Sequence, residues 1–198
     1  GVTGATGVGI QAVNNAGSGH IAVTTGVAGV SGGQVGVNLA QLGAGTTSLT
    51  AQGQITSGNT GIQIYPTGVA ARDVTIDVSA VNGTQNGIRA AHNGTGDLDI
   101  TTRGLVKGTA GHGINLDHYG SGSYRLDLKD AVEGGVGVRA FAWGGGGVNV
   151  KAAATLSGHA GVGLGVGING VLTAGPMDIS VNEVVGKSSA LVALHYGS

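Results

Sequence analysis

The sequence predicts an all-β fold, a right-handed parallel β-helix of seven to eight rungs, from three observations. A four-residue phrase of glycine, an aliphatic residue, a polar residue and an apolar residue recurs every 24 to 27 residues along the 198-residue chain. Within each unit the apolar residues alternate with period two, which favours strands over helices. Glycine and small polar residues separate the apolar runs. A repeat this regular is typical of a solenoid, in which each unit packs only on its neighbours.

The phrase itself predicts the first of three short strands in each rung of about 26 residues. The copies begin at Gly9, Gly36, Gly61, Gly87, Gly113, Gly137, Gly163 and Ala190. Their inward pairs are Ile10/Ala12, Val37/Leu39, Ile62/Ile64, Ile88/Ala90, Ile114/Leu116 and Val138/Ala140. We expect like residues to stack in successive rungs about 4.8 Å apart.

Two further apolar runs predict the second and third strands of each rung. The second strand has inward residues Ile21/Val23, Leu49/Ala51, Val74/Ile76/Val78, Leu98/Ile100, Leu126/Leu128, Val148/Val150 and Met177/Ile179/Val181. The third is centred on Val27, Ile55, Val81, Leu105-Val106, Val132, Leu156 and Val184-Val185. We expect glycines at the corners between strands because tight corners need positive φ.

Composition excludes several classes of protein. The 43 glycines show no three-residue period, so the chain is not collagen-like, and 40% hydrophobic residues argue against disorder. A net charge of −1 predicts no nucleic-acid partner, and no 18-residue apolar run predicts membrane insertion of this segment. The absence of cysteine excludes disulfides. Residues 1–71 carry no charged side chain, so we expect this third of the chain to be the part most prone to self-association.

The chain starts and stops within a repeat, without a capping unit or a signal peptide. We therefore expect residues 1–198 to be one β-helix segment, a fragment of a longer protein. No metal, cofactor or phosphate site is expected. Neither the calcium-binding glycine-rich nonapeptide nor a glycine-rich phosphate loop in a βαβ unit is present.

Aromatic residues and histidines concentrate just beyond the first strand. Counted from each anchor residue, offsets four to six hold Tyr65, His92, His118, Tyr119, Phe141, Trp143, His195 and Tyr196. In a solenoid these positions lie along one edge. Aromatic side chains are enriched at interfaces because they contribute much contact area at low entropic cost. We expect either a contact stripe for a protein or glycan, or rings that only protect the corner.

Two polar sets offer weaker hypotheses. The outward residue of the first strand forms a column of Gln11, Asn38, Gln63, Arg89, Asn115 and Arg139, which is a solvated structural column or a binding face. Carboxylates lie in neighbouring rungs, and Asp99 and Asp127 would stack one rung apart, as a glycosidase pair requires. Lys129, Arg103 and Arg125 are interspersed among them, as on an ordinary solvated sheet, so we expect no enzyme activity.

The repeats of the whole chain resemble those of a known family, and the segment from Gly83 to Gly134 is the most similar part. Asn86-Gly87-Ile88-Arg89-Ala90 is followed by a Gly-x-Leu-x-Ile-x-Thr strand at residues 96–102 and by glycine-rich turns. This pattern resembles the passenger domains of type V autotransporters. The resemblance implies a secreted Gram-negative β-helix without disulfides. Such a protein is anchored at the cell surface through a C-terminal outer-membrane translocator, which this chain lacks.

The resemblance implies a cell-surface adhesin segment. Its partners would be host cells, extracellular matrix of the fibronectin kind, a surface glycan or sister bacterial cells. Two alternatives remain open. One is a carbohydrate-active β-helix, such as a polysaccharide lyase, a hydrolase or a phage tailspike. The other is a passive spacer that carries a distant domain outward.

Overall fold

The computed structural model describes residues 1–65, 68–169 and 175–196, and in these ranges the only regular secondary structure is β-strand. The strands are β1 (Val2–Gly4), β2 (Val8–Asn14), β3 (Ile21–Thr25), β4 (Val30–Gly32), β5 (Val35–Gln41), β6 (Thr47–Ala51), β7 (Ile55–Ser57), β8 (Thr60–Ile64), β9 (Val74–Val78), β10 (Val81–Gly83), β11 (Asn86–His92), β12 (Leu98–Thr102), β13 (Val106–His118), β14 (Tyr124–Leu128), β15 (Val132–Ala142), β16 (Val148–Gly158), β17 (Val162–Asn169), β18 (Met177–Gly186) and β19 (Ser189–Tyr196). Within those residues no helix is long and apolar enough to cross a membrane.

Parallel pairing stacks the strands into a β-solenoid of about 7 turns, as the repeat predicts. Face 1 contains the anchor phrases and runs through β2, β5, β8, β11, β13, β15, β17 and β19. Face 2 runs through β3, β6, β9, β12, β14, β16 and β18. Face 3 begins with β1, β4, β7 and β10, and continues as the opening residues of β13 and β15 and the closing residues of β16 and β18.

The core is a column of aliphatic side chains enclosed by the three faces. The inward pairs predicted for face 1 stack on one another in register, for example Val37 on Ile62 and Ile88 on Ile114. From the second complete rung onward these residues are fully buried. Three of the apolar residues predicted for the third strand are exposed: Val27, Leu105 and Val185. Val27 is 81% exposed, and Val30 takes the inward position of its rung, stacked on Ile55.

The anchor glycines are required by packing between faces and between rungs. A Cβ atom on Gly87 would lie 2.7 Å from Cγ1 of Val106 on face 3 and 2.6 Å from the carbonyl oxygen of Gly113 in the next rung. Gly113 is confined in the same way by Val132 and Gly137. Any larger residue would push face 3 away from face 1, which explains why the phrase opens with glycine.

Positive φ explains few of the glycines, contrary to the expectation for the corners. Among the described residues only Gly17, Gly29 and Gly145 have positive φ. The remaining glycines serve mainly for close approach of backbone segments. Gly120, for example, would place a Cβ 1.5 Å from the carbonyl oxygen of Gly94 in the preceding rung.

Tyr124 is the largest fully buried side chain of the core. It stands at the start of β14, stacked between Leu98 and Val148, and its hydroxyl donates a 2.8 Å hydrogen bond to the carbonyl oxygen of Ala140 on face 1. The small Ala140 leaves room for the ring to reach across the core. Burial raises the pKa of the Tyr124 hydroxyl, so the group remains a neutral donor.

Candidate functional site

Where the structure describes them, the residues beyond the core pair of a face 1 strand point alternately outward and inward. Offsets four and six from the anchor point outward, and offset five points inward, in phase with the core pair at offsets one and three. The predicted edge therefore divides into one inward column, at offset five, and two outward columns, at offsets four and six. The histidines belong to the inward column, Phe141 to the outward column at offset four, and Tyr119 and Trp143 to the outward column at offset six.

His92 and His118 are fully buried, so their side chains do not lie on the predicted contact edge. They stack in register with ring centroids 4.8 Å apart. Nδ1 of His92 accepts a 3.0 Å hydrogen bond from the amide of Gly94. The two ring nitrogens of His118 lie 3.1 Å and 3.0 Å from the carbonyl oxygens of Gly120 and Gly96. These contacts fasten the corner between faces 1 and 2.

Burial lowers the pKa of both histidines. The pKa of His92 falls to about 4 because the ring is desolvated and because His118 is beside it. For His118, desolvation outweighs the two carbonyl contacts, which favour the charged form. The His92 ring is therefore neutral at physiological pH, and we assign both histidines a structural role.

The same inward position also fastens the corner in the rungs of β2 and β5, which sequence reasoning missed. Gln41 is buried, and its amide nitrogen donates to the carbonyl oxygens of Gly19 at 2.7 Å and Thr46 at 3.2 Å. In the rung that precedes Gln41, the side-chain amide of Asn14 donates a hydrogen bond to the carbonyl oxygen of Gly19. His195 holds this position in β19, where it is exposed and its Nε2 lies 3.3 Å from the carbonyl oxygen of Gly175.

Three of the predicted aromatic residues form a continuous stack on the outer surface. The Tyr119 and Trp143 rings lie in adjacent rungs, with centroids 6.2 Å apart and planes 11° apart. The Phe141 and Trp143 centroids are 5.8 Å apart. With Tyr196, two rungs beyond Trp143, these rings make up what we call the aromatic stripe. Tyr119 is 53% exposed, Trp143 37% and Tyr196 59%.

Charged groups on face 1 hold the stripe in place. Nη1 of Arg139 donates 2.9 Å hydrogen bonds to Asn115 and to Asp117, and the guanidinium group lies 4.7 Å from the centroid of Phe141. Nε1 of Trp143 donates to the same Asp117 oxygen at 3.0 Å. The Asp117 carboxylate thus fixes both Arg139 and Trp143, which holds the Trp143 ring in one orientation.

An open apolar cleft of about 190 Å³ follows the stack, and we call it the slot. Its lining residues come from three successive rungs of face 1: Phe141, Trp143, Gly167, Ile168, Asn169, Leu194 and Tyr196. The sequence identified the three aromatic residues of the slot but not the other four, Gly167, Ile168, Asn169 and Leu194. The signal was available, because Gly167 and Asn169 stand where the preceding rung has Phe141 and Trp143.

Tyr65 lies apart from the stripe. It is half-buried, and its ring has the guanidinium group of Arg89 at 5.5 Å from the centroid. The predicted outward column of face 1 does form, with Gln63, Arg89 and Asn115 in register. Its hydrogen bonding is limited to Arg139 and Asn115 among the side-chain pairs described.

The carboxylates on face 2 do not form the pair that the sequence suggested. Asp99 stacks on Arg125, and Asp127 stacks on Thr101, so Asp99 and Asp127 lie in different columns. Asp97 is engaged in hydrogen bonds that join neighbouring rungs. Its backbone amide donates to Asp73, and its carboxylate accepts from the amide of Ser123 in the next rung at 2.8 Å.

An open polar cleft of about 360 Å³ nevertheless lies on this face. It is lined by Asp97, Asp99, Ser123, Tyr124, Arg125, Gly147, Val148, Asn149, Pro176 and Asp178. Desolvation raises the pKa of Asp99, and the neighbouring charges of Asp97 and Asp73 act in the same direction. Across the described ranges, no group of three or more histidine or carboxylate side chains is arranged to hold a metal ion.

No protein-family model, curated protein or solved structure matches this chain. The function is therefore argued from the geometry of the aromatic stripe and the slot.

Proposed function

We propose that this chain is an adhesive segment of a Gram-negative cell-surface protein of the autotransporter passenger kind. It presents face 1 to host cells, extracellular matrix or sister bacteria. The observation that carries the proposal is the exposed stack of Tyr119, Phe141 and Trp143, which continues into the slot. The repeat pattern of the segment from Gly83 to Gly134 supports the bacterial surface location.

The stripe has the properties of a preorganised contact surface. Exposed stacked rings offer apolar area together with polar tips, and tyrosine and tryptophan are frequent energetic centres of interfaces. Asp117 and Arg139 fix the rings from below, so little conformational entropy remains to be lost on binding. A ring serving only to protect the corner would not need this polar support.

A binding assay with the 198-residue chain tests the proposal. We expect the chain to bind cultured epithelial cells or immobilised fibronectin in a saturable manner. The double variant Tyr119→Ala/Trp143→Ala should lower binding at least about tenfold, because it removes two central rings. Tyr65→Ala is the matched control, since it removes a face 1 tyrosine outside the stripe.

Two results would contradict the proposal. Adhesion that is equal in the double variant and in Tyr65→Ala would mean that the stripe is not the contact surface. No adhesion to any surface by the unmodified chain would favour the passive spacer.

The face 2 cleft supports a second candidate, a carbohydrate-active β-helix. The raised pKa of Asp99 would suit a general acid, and Arg125 beside it would suit a substrate carboxylate. Release of reducing ends from bacterial or plant polysaccharides, lost in Asp99→Asn and retained in Asp130→Asn, would support this function. The absence of any product with the unmodified chain would dismiss it.

A further inference from the structure

We propose that the slot between Trp143 and Tyr196 binds one pyranose ring of a neutral glycan. This inference rests on the proposed adhesive function, because it names the ligand class for the same stripe. Four properties of the slot carry it: the interrupted column of rings, the distance between its walls, the chemistry of its lining and its openness to solvent.

The slot is an interruption in a column of aromatic side chains. At the outermost position of face 1, successive rungs carry Tyr119, Trp143, Asn169 and Tyr196. The neighbouring column carries Phe141, Gly167 and Leu194 in register. The rung of Gly167 and Asn169 therefore has no ring, while the rungs on both sides have one. The missing ring leaves a gap in the stack.

The height of the gap suits one inserted ring. Trp143 and Tyr196 are two rungs apart, which is about 9.6 Å at the spacing of parallel strands. A ring midway between the two backbone positions would lie about 4.8 Å, one rung spacing, from each, within the range of stacked contacts. The Tyr119 and Trp143 rings, also in adjacent rungs, have centroids 6.2 Å apart. Ligand pockets for larger molecules measure roughly 300–1,000 Å³. The 190 Å³ of the slot therefore fits a single ring.

The floor of the slot depends on Gly167. A Cβ atom at this position would lie 2.4 Å from Cε1 and 2.5 Å from Cδ1 of Phe141. The Phe141 ring thus lies directly over the Gly167 backbone and forms one side of the slot. Leu194 and the buried Ile168 complete an apolar floor.

A neutral pyranose matches this lining better than a charged ligand. The C–H faces of a sugar ring are apolar and stack on aromatic walls, whereas its hydroxyls project from the edge. The amide of Asn169 lies in the gap and can both donate and accept hydrogen bonds, and the open side leaves the other hydroxyls in water. Of the residues that the structure describes, none that lines the slot is charged, and the nearby Arg139 and Asp117 are paired with each other.

A protein anchor residue is the competing occupant. A specific protein interface buries about 800 Å² on each partner. Among the described residues, seven line the slot, and the adjoining surface carries one further exposed ring, Tyr119, and the Asp117–Arg139 ion pair. A glycan needs only the ring-sized contact, so the geometry favours the sugar.

Tryptophan fluorescence provides a direct test, because Trp143 is the single tryptophan of the chain and forms one wall of the slot. The probes are neutral oligosaccharides ending in glucose, galactose or N-acetylglucosamine. We expect at least one to produce a saturable change in Trp143 emission. A tyrosine-containing peptide of similar size serves as the protein-like probe.

Three variants make the test specific. Asn169→Phe supplies the missing ring on an exposed position and should abolish the response to glycan. Tyr196→Ala removes the far wall and should weaken binding about tenfold. Tyr65→Ala removes a face 1 tyrosine that lies outside both the stripe and the slot, and it should bind the glycan as the unmodified chain does.

The outcomes separate this inference from the proposed adhesion. A response to the peptide without a response to any glycan, or glycan binding unchanged in Asn169→Phe and Tyr196→Ala, overturns the sugar site. If Asn169→Phe retains full cell adhesion, the adhesive function stands and the slot is not its glycan site. Glycan binding that requires an open slot, in a chain that does not adhere to cells, would refute the adhesive function alone.

Discussion

Replacing His92 with glutamine should remove a large part of the acid sensitivity of this fold. His92 is fully buried in the inward column, 4.8 Å from His118, and it must remain neutral to stay there. Gln41 occupies the same inward position in β5 and fastens the same corner without an ionisable group. The chain itself therefore provides the model for His92→Gln.

The magnitude follows from the pKa of His92, which is 6.5 when unperturbed and about 4 in the folded protein. A histidine whose pKa is lowered by folding takes up its proton preferentially in the unfolded chain. Its stabilising contribution is thus complete above about pH 6.5 and is lost as the pH falls towards 4. These two values correspond to a loss of about 2 kcal/mol between pH 7 and pH 4.5. The negative charges of Asp73 and Asp97 favour the protonated imidazole, so they limit the fall in the pKa of His92.

Urea unfolding measured by far-ultraviolet circular dichroism at pH 7 and pH 4.5 provides the assay. The free energy of unfolding of the unmodified chain should fall by about 2 kcal/mol more than that of His92→Gln. The carboxylates and His118 titrate in both proteins, so their contributions largely cancel in the comparison. Equal denaturant slopes are required, because a solenoid can also unfold rung by rung.

An equal loss of stability in the two proteins would refute the reasoning. So would a His92 resonance that titrates near pH 6.5 in the folded chain, because that would place the ring in contact with water. If His92→Gln is markedly unstable at pH 7, the corner needs an imidazole. In that case the pH titration of the His92 NMR resonance in the unmodified chain is the measurement that tests the reasoning.

Two further predictions concern the core. Gly87→Ala should destabilise the fold by about 2 kcal/mol, because the new methyl group would clash with Val106 and the Gly113 carbonyl. Gly26→Ala is the control and should be nearly neutral, because a Cβ atom there would have nothing within 4 Å. Urea unfolding of both variants measures the difference. Tyr124→Phe should cost about 1 kcal/mol by removing the hydrogen bond to Ala140, and thermal unfolding that is unchanged would show that the bond contributes nothing.

The sequence predicted the strands and most of the core because the stacking of rungs requires an apolar residue at each inward position of every repeat. Any change in an inward residue such as Ile88 alters its packing against the residues above and below it. The pattern of inward residues can therefore be recognised from the sequence alone. Tyr124 follows the same period-two alternation as Leu126 and Leu128, which would have identified it as inward. Its hydrogen bond to Ala140 could not be anticipated, because it crosses between faces.

The site was only partly predictable. Grouping offsets four to six as one edge mixed outward rings with inward histidines, although counting by twos from Ile88 places His92 inside. The slot is harder to predict, because it arises where Gly167 and Asn169 replace the aromatic residues of the preceding rung, Phe141 and Trp143. Its volume and the support of Trp143 by Asp117 are products of packing, which no single repeat contains.

The variable spacing between face 1 and face 2 has a consequence for how such a protein can evolve. The step from the last inward residue of face 1 to the first of face 2 is six positions from His92 to Leu98 and seven from Asn14 to Ile21, yet the strands on both sides keep their register. Corners thus absorb insertions that strands cannot. Gene duplication or loss of a complete repeat would lengthen or shorten the rod by one step and leave the remaining stacked surfaces in phase.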